Sequence, residues 1–148
     1  MAQDENIAER YLEDFTVGQT FSSGRARVAA EEILAFAAKF DPQPFHLNEA
    51  AAEQSFFRGL AASGWHTAAI TMRLLVESDL KPAGPNRCWV RRIQVARPVR
   101  PGDELHIECE VLEVRPSRSL TNSGFIKLRT TTLNQHNEPV QFLSLIHI

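Results

Sequence analysis

The segment 40–48 holds an acid, Asp41, and an imidazole, His46, with prolines at positions 42 and 44 between them. The two prolines restrict the backbone, so the separation of the acid and the imidazole is held. A carboxylate and a histidine in one pocket can grip a single water molecule, with one group accepting its proton while the other orients it or donates. The segment therefore predicts chemistry in which water is added or removed.

A structural interpretation of the same residues stays open at this point. Asp41 would then end a helix in an Asp-Pro turn, and His46 would be a core histidine beside Phe45. An acid and a histidine at this spacing more often have such a structural role than a catalytic one. The choice depends on the motif that surrounds them.

A second chemical feature is the predicted helix that begins at Gly64, directly after Ser63. Backbone N–H groups in the first turn of a helix have no intrahelical acceptor, so the Gly64 N–H can hold an enolate oxygen. The alternative is that Gly64 only allows close packing. Ser63 is a natural N-cap, with substrate contact as its alternative, and no GxSxG nucleophile elbow surrounds it.

Three helices are predicted to position these groups. Apolar residues in 30–40 recur at helical spacing, on a face formed by Ile33, Phe36, Ala37 and Phe40. The prolines after Asp41 end this helix and start a rigid loop, and Asn48 can cap a short helix through about Gln54. A longer helix runs from Gly64 to about Ser78, with an apolar stripe of Trp65, Ala68, Ala69, Met72, Leu75 and Val76.

Strands are predicted on both sides of the helices. A weak opening strand covers 20–28, and alternating apolar residues predict strands near 87–95, 105–111 and 126–130, with a last one from about Pro139. Short links between the later strands favour an antiparallel sheet and an α+β fold. We expect one domain over 1–148, with residues 1–10 frayed.

Composition excludes several classes of function. Sixteen basic and eighteen acidic residues give a net charge of −2, which disfavours binding to nucleic acid or to a membrane surface. The start of the chain lacks the pattern of a signal peptide, and no apolar run approaches a membrane span, so a cytoplasmic location is expected. Cys88 and Cys109 have no metal-site spacing and are predicted to be buried, so we expect neither a metal nor a cofactor.

Around the acid and the histidine, the chain resembles the MaoC-like dehydratases and (R)-specific enoyl-CoA hydratases. Their signature is Asp, any residue, Asn, Pro, an aliphatic residue, His, any residue, then Asp or Asn. The positions that match as they stand are Asp41, Pro44, His46 and Asn48. Phe45 replaces the aliphatic residue and Gln43 replaces the usual Asn. The resemblance extends to the segments 62–66 and 97–105 and covers residues 11 to 142.

The resemblance implies a hotdog fold, in which a curved antiparallel β-sheet wraps a long central helix. It also implies a homodimer, or a higher homo-oligomer, that binds an acyl-CoA substrate. Asp41 and His46 would bind the water that adds across a 2-enoyl thioester to give an (R)-3-hydroxyacyl product, a reaction of fatty-acid metabolism. Gly64, Ser63 and Gln43 would serve the oxyanion and the substrate.

Two other functions stay open. Many hotdog domains are acyl-CoA thioesterases with an acid on the central helix, but this helix has no carboxylate before Glu77. The chain could also be a non-catalytic module that binds acyl thioesters, if Gln43 marks a lost activity. A catalytic site requires Asp41 and His46 to face one water-sized space near the Gly64 N–H.

Overall fold

The computed structural model describes residues 9–83 and 87–147, and for His147 the backbone alone. The helices are α1 (Ala30–Phe40), α2 (Pro44–Leu47), α3 (Glu49–Glu53) and α4 (Gly64–Glu77), preceded by a 3-10 turn at Leu12–Asp14. The strands are β1 (Thr20–Ser22), β2 (Ala26–Arg27), β3 (Cys88–Val95), β4 (Glu104–Pro116), β5 (Gly124–Leu133) and β6 (Pro139–His147).

The strands form one antiparallel sheet in the order β1-β4-β5-β6-β3, and β2 pairs with β4 beside this path. Consecutive strands β4, β5 and β6 are neighbours because short turns join them, as predicted. One row of residues crosses four strands, from Ile107 through Thr132 and Gln141 to Val95. This row is important for the site because two of its residues, Thr132 and Gln141, form hydrogen bonds with α4.

Helix α1 has the predicted bounds, and its residues Ile33 and Ala37 are fully buried. Phe40 is an exception, since it was predicted to lie on the apolar face but is 62% exposed. It stands in the last turn of α1, where its ring packs on Phe36 with centroids 5.0 Å apart. The end of α1 therefore projects past the core and carries the chain toward the segment with the prolines.

A short helix stands where the sequence predicted only a rigid loop. Helix α2 begins with Pro44 at its first position, where a proline needs no backbone donor and its fixed φ suits the helix. The predicted cap of the next helix is confirmed, because the Asn48 side chain accepts a hydrogen bond from the Ala51 N–H at 3.1 Å. The two prolines thus end one helix and start another.

Helix α4 has nearly the predicted bounds, but it buries a different face. Of the predicted stripe, Leu75 is buried, whereas Trp65 and Val76 are 65% and 68% exposed. The buried side chains are His66, Thr67, Thr71, Leu74 and Leu75. The sheet below explains the difference, because it presents polar partners: Thr132 forms a buried hydrogen bond with Thr71.

Large aliphatic residues from β4, β5 and β6 form the floor of the core, including Leu105, Ile107, Leu128 and Leu145. Helices α1 and α4 add Ile33, Leu74 and Leu75 to the core, and the segments between elements add others such as Leu60 and Val99. The α+β prediction with an antiparallel sheet is therefore confirmed. Within the described residues, no helix is both long enough and apolar enough to cross a bilayer.

Two predictions about the periphery need correction. Cys109 is buried as predicted, but Cys88 is exposed because it begins β3, which lies at an edge of the sheet. Of the start predicted to be frayed, residues 1–8 lie outside the described residues, and Arg10 is held by a bridge to Pro82. The rest of β3 is also largely exposed, including Trp89 and Val90.

Candidate active site

Asp41 stands at the C-terminal cap of α1, where its N–H donates to the Ala37 carbonyl at 2.9 Å. Pro42 follows directly, and a residue before proline is disfavoured in the helical conformation. Asp41 accordingly leaves the helix with φ −149° and ψ 67°. The turn predicted from the sequence is therefore present, and it aims the carboxylate at the start of α4.

His46 lies in α2 and is only 4% exposed. Its Nδ1 is 2.7 Å from the carbonyl oxygen of Ala61. A carbonyl can only accept, so Nδ1 carries the hydrogen and Nε2 is the atom that faces Asp41. Nε2 then offers a lone pair in the neutral ring or an N–H in the imidazolium.

His46 Nε2 and Asp41 Oδ2 are 3.5 Å apart. A charge-assisted hydrogen bond between them would be shorter, about 2.7 to 2.9 Å. The side chains are nonetheless close enough for one water to hydrogen-bond both. The Asp41 side chain is 16% exposed and that of His46 is 5% exposed, so Asp41 is the member of the pair that reaches toward solvent.

Two side chains donate to the Asp41 carboxylate. Ser63 Oγ donates to Oδ2 and Gln43 Nε2 donates to Oδ1, each at 2.6 Å. Burial is the largest single influence on the Asp41 pKa and raises it, but Ser63, Gln43 and the nearby His46 ring together outweigh burial. The pKa of Asp41 therefore lies below its ordinary value, and the group is a carboxylate at neutral pH.

The Ser63 hydroxyl makes two contacts, of which the sequence predicted one. As predicted, it caps α4, since its Oγ accepts from the Trp65 N–H at 3.3 Å. The same hydroxyl donates its hydrogen to Asp41. Ser63 is 1% exposed, so one buried group joins the start of α4 to the carboxylate.

Gly64 is the first residue of α4, so its N–H has no intrahelical acceptor. It directly follows Ser63, which places this N–H one residue from a side chain bonded to Asp41. Close packing also applies, because a Cβ at Gly64 would lie 3.3 Å from Val95 Cγ2. Both sequence interpretations of Gly64 are therefore compatible with the structure.

Sequence reasoning missed Gln141, on β6. Its side chain is fully buried, and its Nε2 donates to the Gly64 carbonyl at 2.9 Å. Its Oε1 has no hydrogen-bond partner among the described residues. Gln141 is a polar residue within a largely apolar strand, and this departure from the strand pattern was the signal that could have identified it.

The three arginines considered as phosphate contacts and the acid of α4 lie outside this cluster. Arg58, Arg91 and Arg92 are exposed, as expected for solvated arginines. Glu77, the acid of α4, lies at the far end of the helix and pairs with Arg73. Within the described residues, no three metal-ligating side chains converge on a common point.

The chain is similar to known proteins both in sequence and in structure. A family model described as the MaoC-like domain matches residues 14–132. The chain is 35% identical over 128 residues to an uncharacterised protein of Bacillus subtilis, YdeM, a match that covers 84% of this chain and 87% of that protein.

Two solved structures extend the comparison. A MaoC-like dehydratase from Rhodospirillum rubrum is 50% identical, with a TM-score of 0.89 over 94% of this chain and 96% of that one. An (R)-hydratase from A. caviae, involved in PHA biosynthesis, is 26% identical, with a TM-score of 0.73 over 91% of this chain and 97% of that one. These likenesses confirm the predicted hotdog fold, with α4 as its central helix.

Proposed function

The chain belongs to the MaoC-like domain family, and from that premise we propose that it adds water to 2-enoyl thioesters or removes it from (R)-3-hydroxyacyl thioesters. The observation that carries the proposal is the fixed pair of Asp41 and His46. One short segment, 61–63, holds both members: the Ala61 carbonyl accepts from His46 and the Ser63 hydroxyl donates to Asp41. The (R) configuration is proposed from the likeness to (R)-hydratases.

In the forward direction, Asp41 and His46 hold one water between them. The water oxygen bonds to C3 of the enoyl group while one of its protons passes to the pair. The electron pair of the double bond moves toward the thioester oxygen, whose negative charge the Gly64 N–H stabilises. C2 then takes a proton from the pair, so that the elements of one water are added in total. Dehydration follows the same steps in reverse.

Gln43 is the departure from the family signature, and its geometry favours an active site over a lost one. The longer side chain donates to Asp41 Oδ1 and leaves Asp41 and His46 facing each other. Thioester hydrolysis has less support, because Glu77 is exposed at the end of α4 and paired with Arg73. The test below distinguishes hydration from both alternatives, thioester hydrolysis and a non-catalytic binding module.

We also propose that two copies of the chain form a homodimer. Helix α4 and edge strand β3 leave large apolar side chains exposed: Trp65, Val76, Trp89, Val90 and Val95. A second copy that covers these residues would remove them from water. Sedimentation at micromolar concentration is expected to give a dimer, and a folded monomer there contradicts this part of the proposal.

The reaction is proposed to need no metal and no cofactor beyond the acyl-CoA substrate. Acid, base and backbone dipoles supply every proton and charge that the steps above require. Turnover is expected to survive treatment with a chelator. Activity that is lost on chelation and restored by zinc would refute this. The cytoplasmic location stays a prediction.

The proposal is tested with a series of 2-enoyl-CoA esters of graded chain length. Loss of the enoyl absorbance reports hydration, and a thiol reagent in parallel reports release of free CoA. We expect enoyl loss without thiol release, and the same series on acyl carrier protein identifies the preferred carrier. Release of one thiol for each enoyl thioester lost indicates a thioesterase, and binding without either reaction indicates a non-catalytic module.

A further inference from the structure

The guanidinium of Arg100 contacts three backbone carbonyls of the segment that precedes α4. Nη1 donates to the carbonyls of Gly59 at 2.8 Å and Leu60 at 3.2 Å, and Nη2 donates to that of Phe57. Next to it, the Val99 carbonyl accepts from the Ala62 N–H at 2.9 Å. Four hydrogen bonds therefore join the link between β3 and β4 to residues 57–62.

Residues 57–62 have no regular structure to hold them. Arg58 has a φ of 51° and Gly59 a φ of 150°, both in the region that favours glycine. Glycine adopts such a φ without strain, but a left-handed conformation at a residue such as Arg58 persists only where its surroundings fix it. A buried carbonyl also needs a donor, and Leu60 is only 7% exposed. Arg100 supplies such donors with one rigid, planar group.

The segment that Arg100 holds leads directly into the site. Ala61, whose carbonyl accepts from His46 Nδ1, follows Leu60 in the chain. Ser63, which donates to Asp41, and Gly64, at the start of α4, come next. A shift of residues 57–60 would therefore displace the groups that set the His46 ring and the Asp41 carboxylate.

We propose that Arg100 is a positioning residue for this reaction: it fixes the Ala61 carbonyl and thereby the Nδ1–H form of His46. This inference rests on the proposed function for its kinetic part only. Arg100 forms no ion pair with a carboxylate among the described residues. Its carbonyl contacts, rather than the pairing of its charge, are what its replacement would remove.

The test compares Arg100→Gln and Arg100→Lys with Arg97→Gln as the matched control. Arg97 lies in the same link, but it only forms an exposed ion pair with Glu138 at 3.5 Å. Each protein is measured for kcat, KM, the midpoint of urea unfolding and the 15N shifts of the His46 ring. The ring shifts report the proton position without any substrate.

Arg100→Gln is expected to lower kcat by about 100-fold, because small misplacements of catalytic groups have effects of this size. KM should change by less than about fivefold, and His46 should show a mixture of Nδ1–H and Nε2–H forms. Arg100→Lys keeps the charge but loses the fork of donors, so it should lower kcat by about tenfold with a partly mixed ring. Arg97→Gln should match the parent throughout.

A folded Arg100→Gln protein whose kcat and His46 spectrum equal those of the parent overturns the inference. If that variant fails to fold, Arg100→Lys decides in the same way, since a parental kcat and ring spectrum there also overturn it. If the parent hydrates no enoyl thioester, the proposed function has failed. The His46 spectra then still decide whether Arg100 sets the proton position.

Discussion

Two buried histidines, His46 in α2 and His66 in the first turn of α4, have different surroundings. His46 and His66 are 4% and 8% exposed, and each packs against a phenylalanine ring. His46 has Ala61 at one ring nitrogen and Asp41 at the other. His66 stacks on Phe36 with centroids 4.7 Å apart, and its Nδ1 has no hydrogen-bond partner among the described residues.

Burial and aromatic contact are common to both histidines, so these two features do not mark either one as suited to proton transfer. Proton transfer needs a ring whose hydrogen is fixed on one nitrogen while the other faces the reacting group. Of the two histidines, only His46 has one ring nitrogen bonded to a carbonyl and the other facing a carboxylate. Burial lowers the pKa of His66, and nearby Glu32 offsets part of that shift, so His66 is a neutral packing residue near pH 7.

The largest effect on kcat is expected from single changes at the pair proposed to be catalytic, Asp41 and His46. His46→Gln and Asp41→Asn should each lower kcat by roughly 100-fold to 10,000-fold, the usual contribution of a general acid or base. His66→Gln is the matched control, because it removes the other buried histidine. Its turnover per folded molecule should equal that of the parent. If His66→Gln lowers kcat as much as His46→Gln does, the proposed difference between the two histidines is wrong.

The next largest effect on kcat is expected from removal of the Gly64 N–H. Gly64→Pro removes this hydrogen at the first helical position, where proline is favoured, and the ψ of 141° at Ser63 suits a residue before proline. Gly64→Ala keeps the N–H and adds the same Cβ near Val95. Relative to Gly64→Ala, Gly64→Pro should lower kcat by about 100-fold to 1000-fold. Equal rates for the two variants would remove the N–H from the mechanism.

A smaller effect on kcat is expected at Ser63, whose hydroxyl donates a hydrogen bond to the Asp41 carboxylate. Ser63→Ala removes a hydrogen bond that lowers the Asp41 pKa, so this pKa should rise and the acid limb of the kcat/KM profile should move to higher pH. At neutral pH we expect a loss of about tenfold, equivalent to about 1.4 kcal/mol. Ser63→Thr keeps the hydroxyl and should retain the parental profile; an unmoved profile in Ser63→Ala contradicts the assigned contact.

The smallest effect concerns stability at His66. Its pKa is lower in the folded protein than the ordinary 6.5, so below that pH the unfolded chain binds more protons than the folded one. The free energy of unfolding should therefore fall as the pH is lowered from about 7.5 to about 5. His66→Gln should show a shallower fall in urea titrations. A slope equal to that of the parent would mean that His66 is protonated in the folded state.

Much of the fold was predictable because it follows from local patterns. The bounds of α1 and α4 come from helical spacing and capping, and the strands from alternation. Helix α2 was missed because four residues cannot show a helical period. The buried face of α4 was wrongly predicted because Thr71 finds its partner on β5, and residues of the sheet decide which face is covered.

The pair proposed to be catalytic could be found from the sequence, but the groups that support it could not. Asp41, His46, Ser63 and Gly64 carry residue types that suggest their chemistry, and the structure brings them together. Their supports are a backbone carbonyl at Ala61 and two distant side chains, Gln141 and Arg100. A carbonyl has no signature in a sequence, and contacts across such separations depend on the completed sheet.

The most direct test of the shared water is the double variant Asp41→Asn/His46→Gln, measured beside both single variants. Its kcat for hydration of the best 2-enoyl-CoA ester is corrected for the folded fraction. Groups that act as a unit are strongly non-additive, so the double variant should be slower than the worse single variant by less than about threefold. Losses that multiply, or either single variant within about threefold of the parent, would contradict joint action of Asp41 and His46 on one water.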